Sequence, residues 1–131
     1  MEGAGMAMLL DLVQEPTHWQ LSVSGDLDYD ACSRFRMSVD RIVSSSPQPA
    51  VVDLSRLSNI DGAGLGILVG MSHQMASTRS KLVLVTSGEI HGLLTDARLC
   101  GVFSTTSSLA DAILALQDGA TEATNPDELA D

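Results

Sequence analysis

The order of apolar and polar residues predicts two strands at the start of the chain. The run Met8–Val13 is short and apolar, and the stretch 19–24 alternates strictly. Apolar Trp19, Leu21 and Val23 fall on one side of that alternation, and Gln20, Ser22 and Ser24 on the other. Such alternation is typical of a strand with one buried face. Because only a short turn separates the two runs, they are predicted to pair as a hairpin.

Apolar residues three and four positions apart then predict four helices. The first is predicted to have Asp28 at its N-cap, the second to span about 62–77 behind Asp61, the third to begin after Ser87 and the fourth after Ser108. The face of the first helix is predicted to carry Tyr29, Cys32, Phe35, Val39, Ile42 and Val43. The third should bury Ile90, Leu93, Leu94 and Ala97 and stop at Gly101, and the fourth should bury Leu109, Ala112, Ile113 and Leu116.

Short apolar stretches at 50–55, 81–87 and 102–106 predict strands between these helices. The resulting order, ββαβαβαβα, indicates a single α/β domain over residues 7–117, a mostly parallel sheet with an N-terminal hairpin and helices packed on it. Residues 1–6 are expected to be flexible, and residues 118–131 to form a disordered acidic tail. Each helix should begin at the carboxyl edge of the sheet, where partners of open α/β sheets usually bind.

Charge narrows the class of partner. The chain carries seven basic and seventeen acidic side chains, a formal net charge of −10. Five of the acids follow residue 117, so the predicted domain itself is only mildly acidic. Nucleic acid and anionic membrane surfaces are disfavoured, because both require clustered Lys and Arg. A protein partner fits this balance better.

Little in the sequence indicates a metal, a disulfide or export. Cys32 and Cys100 are far apart and predict neither a disulfide framework nor a zinc site. The three histidines, His18, His73 and His91, are scattered without ligand partners at metal spacing, so no metal or cofactor is expected. The N-terminus lacks the features of a secretory signal, and no apolar run is long enough to span a membrane. We therefore expect a cytoplasmic protein, monomeric or weakly dimeric.

The stretch NIDGAGLGILVG, residues 59–70, raises three possibilities: a phosphate cradle, a membrane-helix contact or a protein-docking turn. Its glycines fit neither the dinucleotide register nor a P-loop, and Asp61 would repel an anion. The stripe Gly62, Gly66 and Gly70 lies in a run too short for a membrane helix. In a soluble protein, Gly66 and Gly70 are expected to let the helix pack closely against a neighbour. Asp26, Asp28 and Asp61 can converge at the sheet edge, as caps, partner contacts or paired carboxylates.

Two segments of the chain resemble the bacterial anti-sigma factor antagonists of the STAS domain family. VVDLSRLSNIDGAGLGILVG resembles the family's strand–turn–helix signature, and GDLDYDACSRF its entry to the first helix, with Asp26 where the family has Glu. The resemblance covers about residues 7–117. In the family, the acid of the turn precedes a serine that a partner anti-sigma factor, itself a kinase, phosphorylates. Here Gly62 stands at that phosphoacceptor position and Ala63 follows it, so both hydroxyls are missing.

The resemblance implies a protein that binds and catalyses nothing. Its partner would be an anti-sigma factor with a kinase-type ATPase fold, and binding would free a sigma factor for transcription. The contact residues would be Asp28, Asp61, Gly62, Ala63 and Leu65. STAS domains also resemble accessory subunits of ABC-type lipid transport complexes that bind the transporter ATPase, which is the alternative. A small hydrolase would need a catalytic site that the sequence does not show.

Overall fold

The computed structural model describes residues 8–28, 30–45, 48–99 and 101–117 and has the predicted order ββαβαβαβα. The predicted segments 1–6 and 118–131, together with Tyr29 and Cys100, lie outside the described residues. The strands are β1 (Leu9–Gln14), β2 (Trp19–Leu27), β3 (Ala50–Ile60), β4 (Leu82–Val85) and β5 (Ser104–Thr106). The helices are α1 (Cys32–Ser44), α2 (Gly62–Ser77), α3 (Gly88–Asp96) and α4 (Leu109–Gln117).

The five strands form one sheet in the order β1-β2-β3-β4-β5. β1 pairs with β2 antiparallel, which confirms the predicted hairpin, and the remaining neighbours are all parallel. The alternation of β2 sets its two faces, since Trp19, Leu21 and Val23 are buried while the residues between them are only partly covered. The predicted α/β fold is confirmed.

The two faces of the sheet are covered unequally. Residues from α1, α2 and α3 pack into one large core with inward-facing residues of the strands, among them Leu21, Val52 and Leu84. The other face has a smaller cluster, in which Ala112 of α4 packs against Val51, Val83 and Val85 of the two central strands. Because the first residues of β3, Ala50–Val52, and all of β4 are covered on both faces, these stretches are continuous apolar runs.

Several boundaries differ from the prediction, among them the start of α1 and the end of β3. α1 begins at Cys32 with Ala31 at the N-cap, so Asp28 lies before the helix and is not its cap. β3 continues to Ile60, five residues past the predicted end. Its polar second half is held by pairing with the end of β2, where Ser58 Oγ donates to the carbonyl of Gly25 at 2.7 Å. Ser58 is therefore a residue of β3.

α3 also ends differently. Ile90 and Leu94 are fully buried as predicted, but Leu93 is 36% exposed and Ala97 is exposed. The helix is terminated by Arg98, which adopts a left-handed conformation with φ of 61°. The amide of Leu99 then donates to the carbonyl of Leu94 at 2.8 Å. Gly101 lies beyond this left-handed residue and does not end the helix. α2 ends in the same way, with Arg79 at φ of 60° and Ser80 donating to Met75 at 2.8 Å.

Substitution of Arg98 by glycine tests this helix end. An L-residue in the left-handed region is strained by roughly 1–2 kcal/mol, which glycine relieves at the expense of its larger entropy loss on folding. We expect Arg98→Gly to stabilise the fold by up to about 1 kcal/mol, measured by urea unfolding. The control is Arg34→Gly inside α1, which should destabilise by about 1 kcal/mol. Equal destabilisation by both would place the end of α3 elsewhere.

Candidate functional site

The carboxyl ends of β2 and β3 bring two acidic residues to one edge of the sheet. Leu27 and Ile60 are paired in the parallel register, so the residues that follow them leave the sheet side by side. The Asp61 amide donates to the carbonyl of Leu27 at 3.3 Å. Asp28 and Asp61 therefore share one corner of the molecule, as the sequence predicted.

Asp61 is the N-cap of α2, which confirms the prediction. Its backbone is extended, with φ of −96° and ψ of −178°, and its Oδ1 accepts from the amide of Gly64 at 3.1 Å. Its carbonyl accepts from the amide of Leu65 at 3.0 Å, which closes the first turn. A side-chain cap of this kind satisfies an amide that the helix leaves unpaired.

Asp28 has a different local role. It is exposed, and its Oδ1 accepts from the amide of Ala31 at 3.0 Å, closing the turn that leads into α1. Asp26 is bonded to the end of β3, since its Oδ1 accepts from the Asn59 side-chain amide at 3.3 Å. The three acids thus have separate hydrogen bonds to protein donors.

Cys32 lies between the two helix entries and connects them. It is 8% exposed, and its thiol donates to Asp61 Oδ1 at 3.9 Å. Burial is the main reason that the pKa of Cys32 is raised above its usual value, and the negative charges of Asp61 and Asp28 raise it further. A thiol in this setting stays protonated and is a poor nucleophile.

The first turn of α2 presents small residues to solvent. Gly62 and Ala63 are exposed, and a Cβ built on Gly62 would meet nothing within 4 Å. Leu65 is half-buried and packs on the main core with part of its side chain. Of the predicted contact residues, Asp28, Gly62 and Ala63 are exposed, while Asp61 and Leu65 are partly covered.

The expected packing role of Gly66 and Gly70 is wrong. Both are exposed, and a Cβ on either would meet nothing within 4 Å. Gly64 is the closely packed glycine, because its Cβ would stand 2.8 Å from Ile60 Cγ1 and 3.1 Å from Leu27 Cδ2. α2 is apolar on several sides, so spacing along the chain did not reveal which glycine faces the sheet.

Beside this turn, the first turns of α1 and α2 enclose a groove of 740 Å³. It is lined by Asp30, Cys32, Ser33, Arg36, Ala63, Gly66 and Ile67. Of these residues, only Ala63 was predicted from the sequence as a contact residue. The spacing of Ser33 and Arg36 could have indicated this groove from the sequence. They are three residues apart on α1, and residues at that spacing share one helix face.

The described residues show no cluster suited to a metal: no group of three His, Cys, Asp or Glu side chains is close enough together. His18 is buried, and its Nδ1 lies 3.0 Å from Thr17 Oγ1. His73 and His91 belong to different helices, α2 and α3. No helix in the described ranges has the length and apolar character needed to cross a membrane.

Comparison with known proteins gives a consistent result for the fold. The family model described as STAS domain matches residues 10–112, while a comparison with curated sequences gives no match. An anti-sigma factor antagonist from Mycobacterium paratuberculosis superposes with a TM-score of 0.80 at 22% identity, over 86% of this chain and 96% of that chain. A putative anti-sigma factor antagonist from Thermotoga maritima gives 0.72 at 15% identity, over 82% and 94%. The phosphorylated Bacillus cell fate determinant SpoIIAA gives 0.62 at 18%, over 82% and 96%.

Alanine substitutions distinguish the packed glycine of α2 from the exposed one. Gly64→Ala forces a methyl group against Leu27 and Ile60, and we expect a destabilisation of about 1–3 kcal/mol. Gly66→Ala has free space and improves helix propensity, so it should stabilise by about 0.5–1 kcal/mol. Thermal and urea unfolding of both variants measure the difference. Similar effects at both positions would contradict the packing described here.

The rate of alkylation of Cys32 tests the effect of the Asp61 charge on the Cys32 thiol. Iodoacetamide should modify Cys32 more slowly in the native protein than in the unfolded chain, because the reactive thiolate is disfavoured. Asp61→Asn keeps a capping oxygen but removes one charge, and should accelerate the reaction severalfold. Asp26→Asn is the control, since it removes the same charge from a carboxylate bonded to Asn59. Peptide mapping by mass spectrometry follows Cys32 separately from Cys100, and equal rates in both variants would rule out the Asp61 effect.

Proposed function

Because the chain belongs to the STAS domain family, we propose that it is an anti-sigma factor antagonist that works by binding and without catalysis. Its partner is an anti-sigma factor with a kinase-type ATPase fold, and docking releases a sigma factor for transcription in the cytoplasm. The solved structures with the same fold that are described as anti-sigma factor antagonists support this role.

The docking surface of this proposal consists of Asp28, Asp61, Gly62, Ala63 and Leu65. The observation that carries it is the exposed first turn of α2, where the space around Gly62 is open and the 740 Å³ groove adjoins Ala63. Small side chains let a partner approach the backbone of this turn. The rigid Asp61 cap holds the turn in one conformation, so docking requires little ordering of this surface.

Charge supports a partner that is basic at the point of contact. Asp28, Asp30 and Asp61 lie around the start of the two helices, and of these only Asp30 lines the groove, together with the cation Arg36. A complementary partner surface would present Lys or Arg to these carboxylates. Such complementarity increases the association rate and selects among partners more than it adds affinity.

The absence of a hydroxyl at Gly62 affects how the interaction would be regulated. Glycine cannot accept a phosphoryl group, so a kinase partner has no acceptor at this position, and Ala63 offers none either. In our proposal the free protein is therefore always competent to dock. Its activity would be set by its abundance or by the state of its partner.

The substitution Gly62→Glu tests the docking surface. The added acid lies in the first turn of α2, where the helix dipole favours it by about 0.3–1 kcal/mol, and space for it is open. The fold should therefore keep its stability. Docking should weaken by at least about 2 kcal/mol, or roughly thirtyfold, because the new charge must be desolvated at the interface centre. The partner is first captured with wild-type protein and identified by mass spectrometry, and affinity is then measured by calorimetry.

Gly70→Glu is the matched control. Gly70 is exposed on the same helix with the same open space, about 12 Å further along the axis, so overall charge and helix content change equally. We expect it to bind the partner like wild type. Equal affinity of all three proteins would remove the first turn of α2 from the interface, and capture of a transporter ATPase in place of an anti-sigma factor would contradict the proposed role.

A further inference from the structure

The exposed side of α1 concentrates positive charge in a chain that is acidic as a whole. Three of the seven basic side chains, Arg34, Arg36 and Arg41, belong to this helix, while the net charge of the chain is −10. All three are exposed. Arg36 lines the groove beside the docking surface, but Arg34 and Arg41 do not. These two arginines therefore have no role in the proposed docking function.

Arg34, Met37 and Arg41 form a stripe along α1, which we call the arginine stripe. Residues three, four and seven positions apart share one side of a helix. At 3.6 residues per turn, Arg34 and Arg36 point about 160° apart, so the stripe is turned away from the groove. Met37 is 71% exposed, the highest value of any large apolar side chain in the described ranges. The stripe thus presents an exposed thioether between two guanidinium groups.

The two arginines of the stripe lack partners in the folded domain. Within the described part of the chain, no carboxylate forms an ion pair with Arg34 or Arg41. Asp40 lies on the side of Arg36, because it follows that residue by four positions on the helix. Asp30 precedes α1 and lines the groove. These two acids weaken the positive potential of the stripe, and carboxylates from elsewhere are needed to neutralise it.

The complementary charge lies in residues 118–131 of the same chain. This segment carries five acids and no base. Within it, Glu128 and Asp131 are three residues apart, and Leu129 lies between them in the sequence. In the polyproline II conformation, which is common in chains without regular structure, residues three apart lie on one side at a distance of about 9 Å.

The arginine stripe has the same spacing. Seven residues of α-helix rise by about 10 Å, so two carboxylates about 9 Å apart can meet both arginines at once. An apolar side chain between these carboxylates then falls near Met37. Residues 127–131 therefore match the stripe in charge, in spacing and in the position of the apolar group.

The segment is also long enough to reach the stripe. α4 ends at the amino ends of the parallel strands, because Leu116 lines a cavity with His18 and Pro49, which precede β2 and β3. α1 ends at the same edge of the sheet, before β3. Glu128 follows Gln117 by eleven positions, and a chain of that length reaches at most about 36–40 Å. A domain of this size has a radius of gyration of about 13 Å, so the segment can pass around the sheet to α1.

We propose that residues 127–131 bind the arginine stripe of their own chain. Glu128 and Asp131 pair with the two arginines, and Leu129 covers part of the Met37 side chain. Exposed ion pairs are individually weak, but the linking chain provides an effective concentration in the millimolar range. The contact is therefore occupied part of the time and is released by salt. It does not depend on the proposed docking function, because it uses the opposite side of α1.

The rate at which hydrogen peroxide oxidises Met37 tests this contact in the full chain. The peroxide transfers one oxygen to the sulfur and leaves as water, so the rate follows the exposure of the thioether. At about 10 mM salt we expect the double variant Glu128→Gln/Asp131→Asn to be oxidised about twofold faster than wild type, as for a contact occupied about half of the time. Peptide mapping by mass spectrometry follows Met37. At about 1 M salt, where the Debye length is only about 3 Å, the two proteins should react equally.

The matched control is Asp118→Asn/Glu122→Gln, which removes the same charge from the same segment but outside the proposed contact. It should be oxidised at the wild-type rate at low salt. Protection of Met37 that is independent of protein concentration supports a contact within one chain. Protection that grows with concentration would assign the stripe to a second copy and overturn the proposal.

Reversal of charge on both sides tests the pairing itself. Arg34→Glu/Arg41→Glu should lose the protection of Met37, and adding Glu128→Arg/Asp131→Arg to that variant should restore it. Circular dichroism shows whether each variant is folded. Equal oxidation of folded wild type and Glu128→Gln/Asp131→Asn at low salt would overturn the proposal, whatever the arginine variants show.

Discussion

Asp61 connects β2, α1 and α2, the three elements whose ends form the candidate site. Its amide bonds to the end of β2, its carboxylate caps α2, and the same oxygen accepts from Cys32 in the first turn of α1. This arrangement requires the backbone of α2 to lie close to Leu27 and Ile60, which only a glycine at position 64 allows. These contacts fix the position of the residues beneath the exposed turn.

Local signals predicted the parts of the fold that depend on neighbouring residues. The caps Asp61 and Ser87 and the alternation of β2 follow from hydrogen bonds and side-chain periods that a short segment sets by itself. Features set by distant residues were not predictable in this way. β3 extends through polar residues because β2 lies beside it. Asp28 is a residue type typical of an N-cap and precedes the apolar positions of the helix, although α1 begins at Cys32. At the candidate site, the groove between α1 and α2 could not be predicted, because it depends on which faces of the two helices meet.

The glycines of α2 show the same limit in one helix. Gly62, Gly66 and Gly70 share a stripe, and a stripe of glycine suggests close packing. The structure instead leaves this stripe exposed and buries Gly64, because Leu68, Met71 and Met75 on the side of Gly64 pack into the main core. The sequence shows that the three glycines share one side of the helix, and tertiary contacts decide whether that side faces the core or the solvent.

The central position of β3 has a consequence for synthesis on the ribosome. β1, β2 and α1 emerge first, but the parallel neighbour of β2 is β3, which is complete only at residue 60. Until then the hairpin and α1 expose the apolar side chains that later form the main core, including Leu21 and Phe35. Partly made chains with such exposed surface are prone to aggregation and are typical clients of chaperones. The nascent chain is therefore most vulnerable between the emergence of β2 and the emergence of β3 from the ribosome.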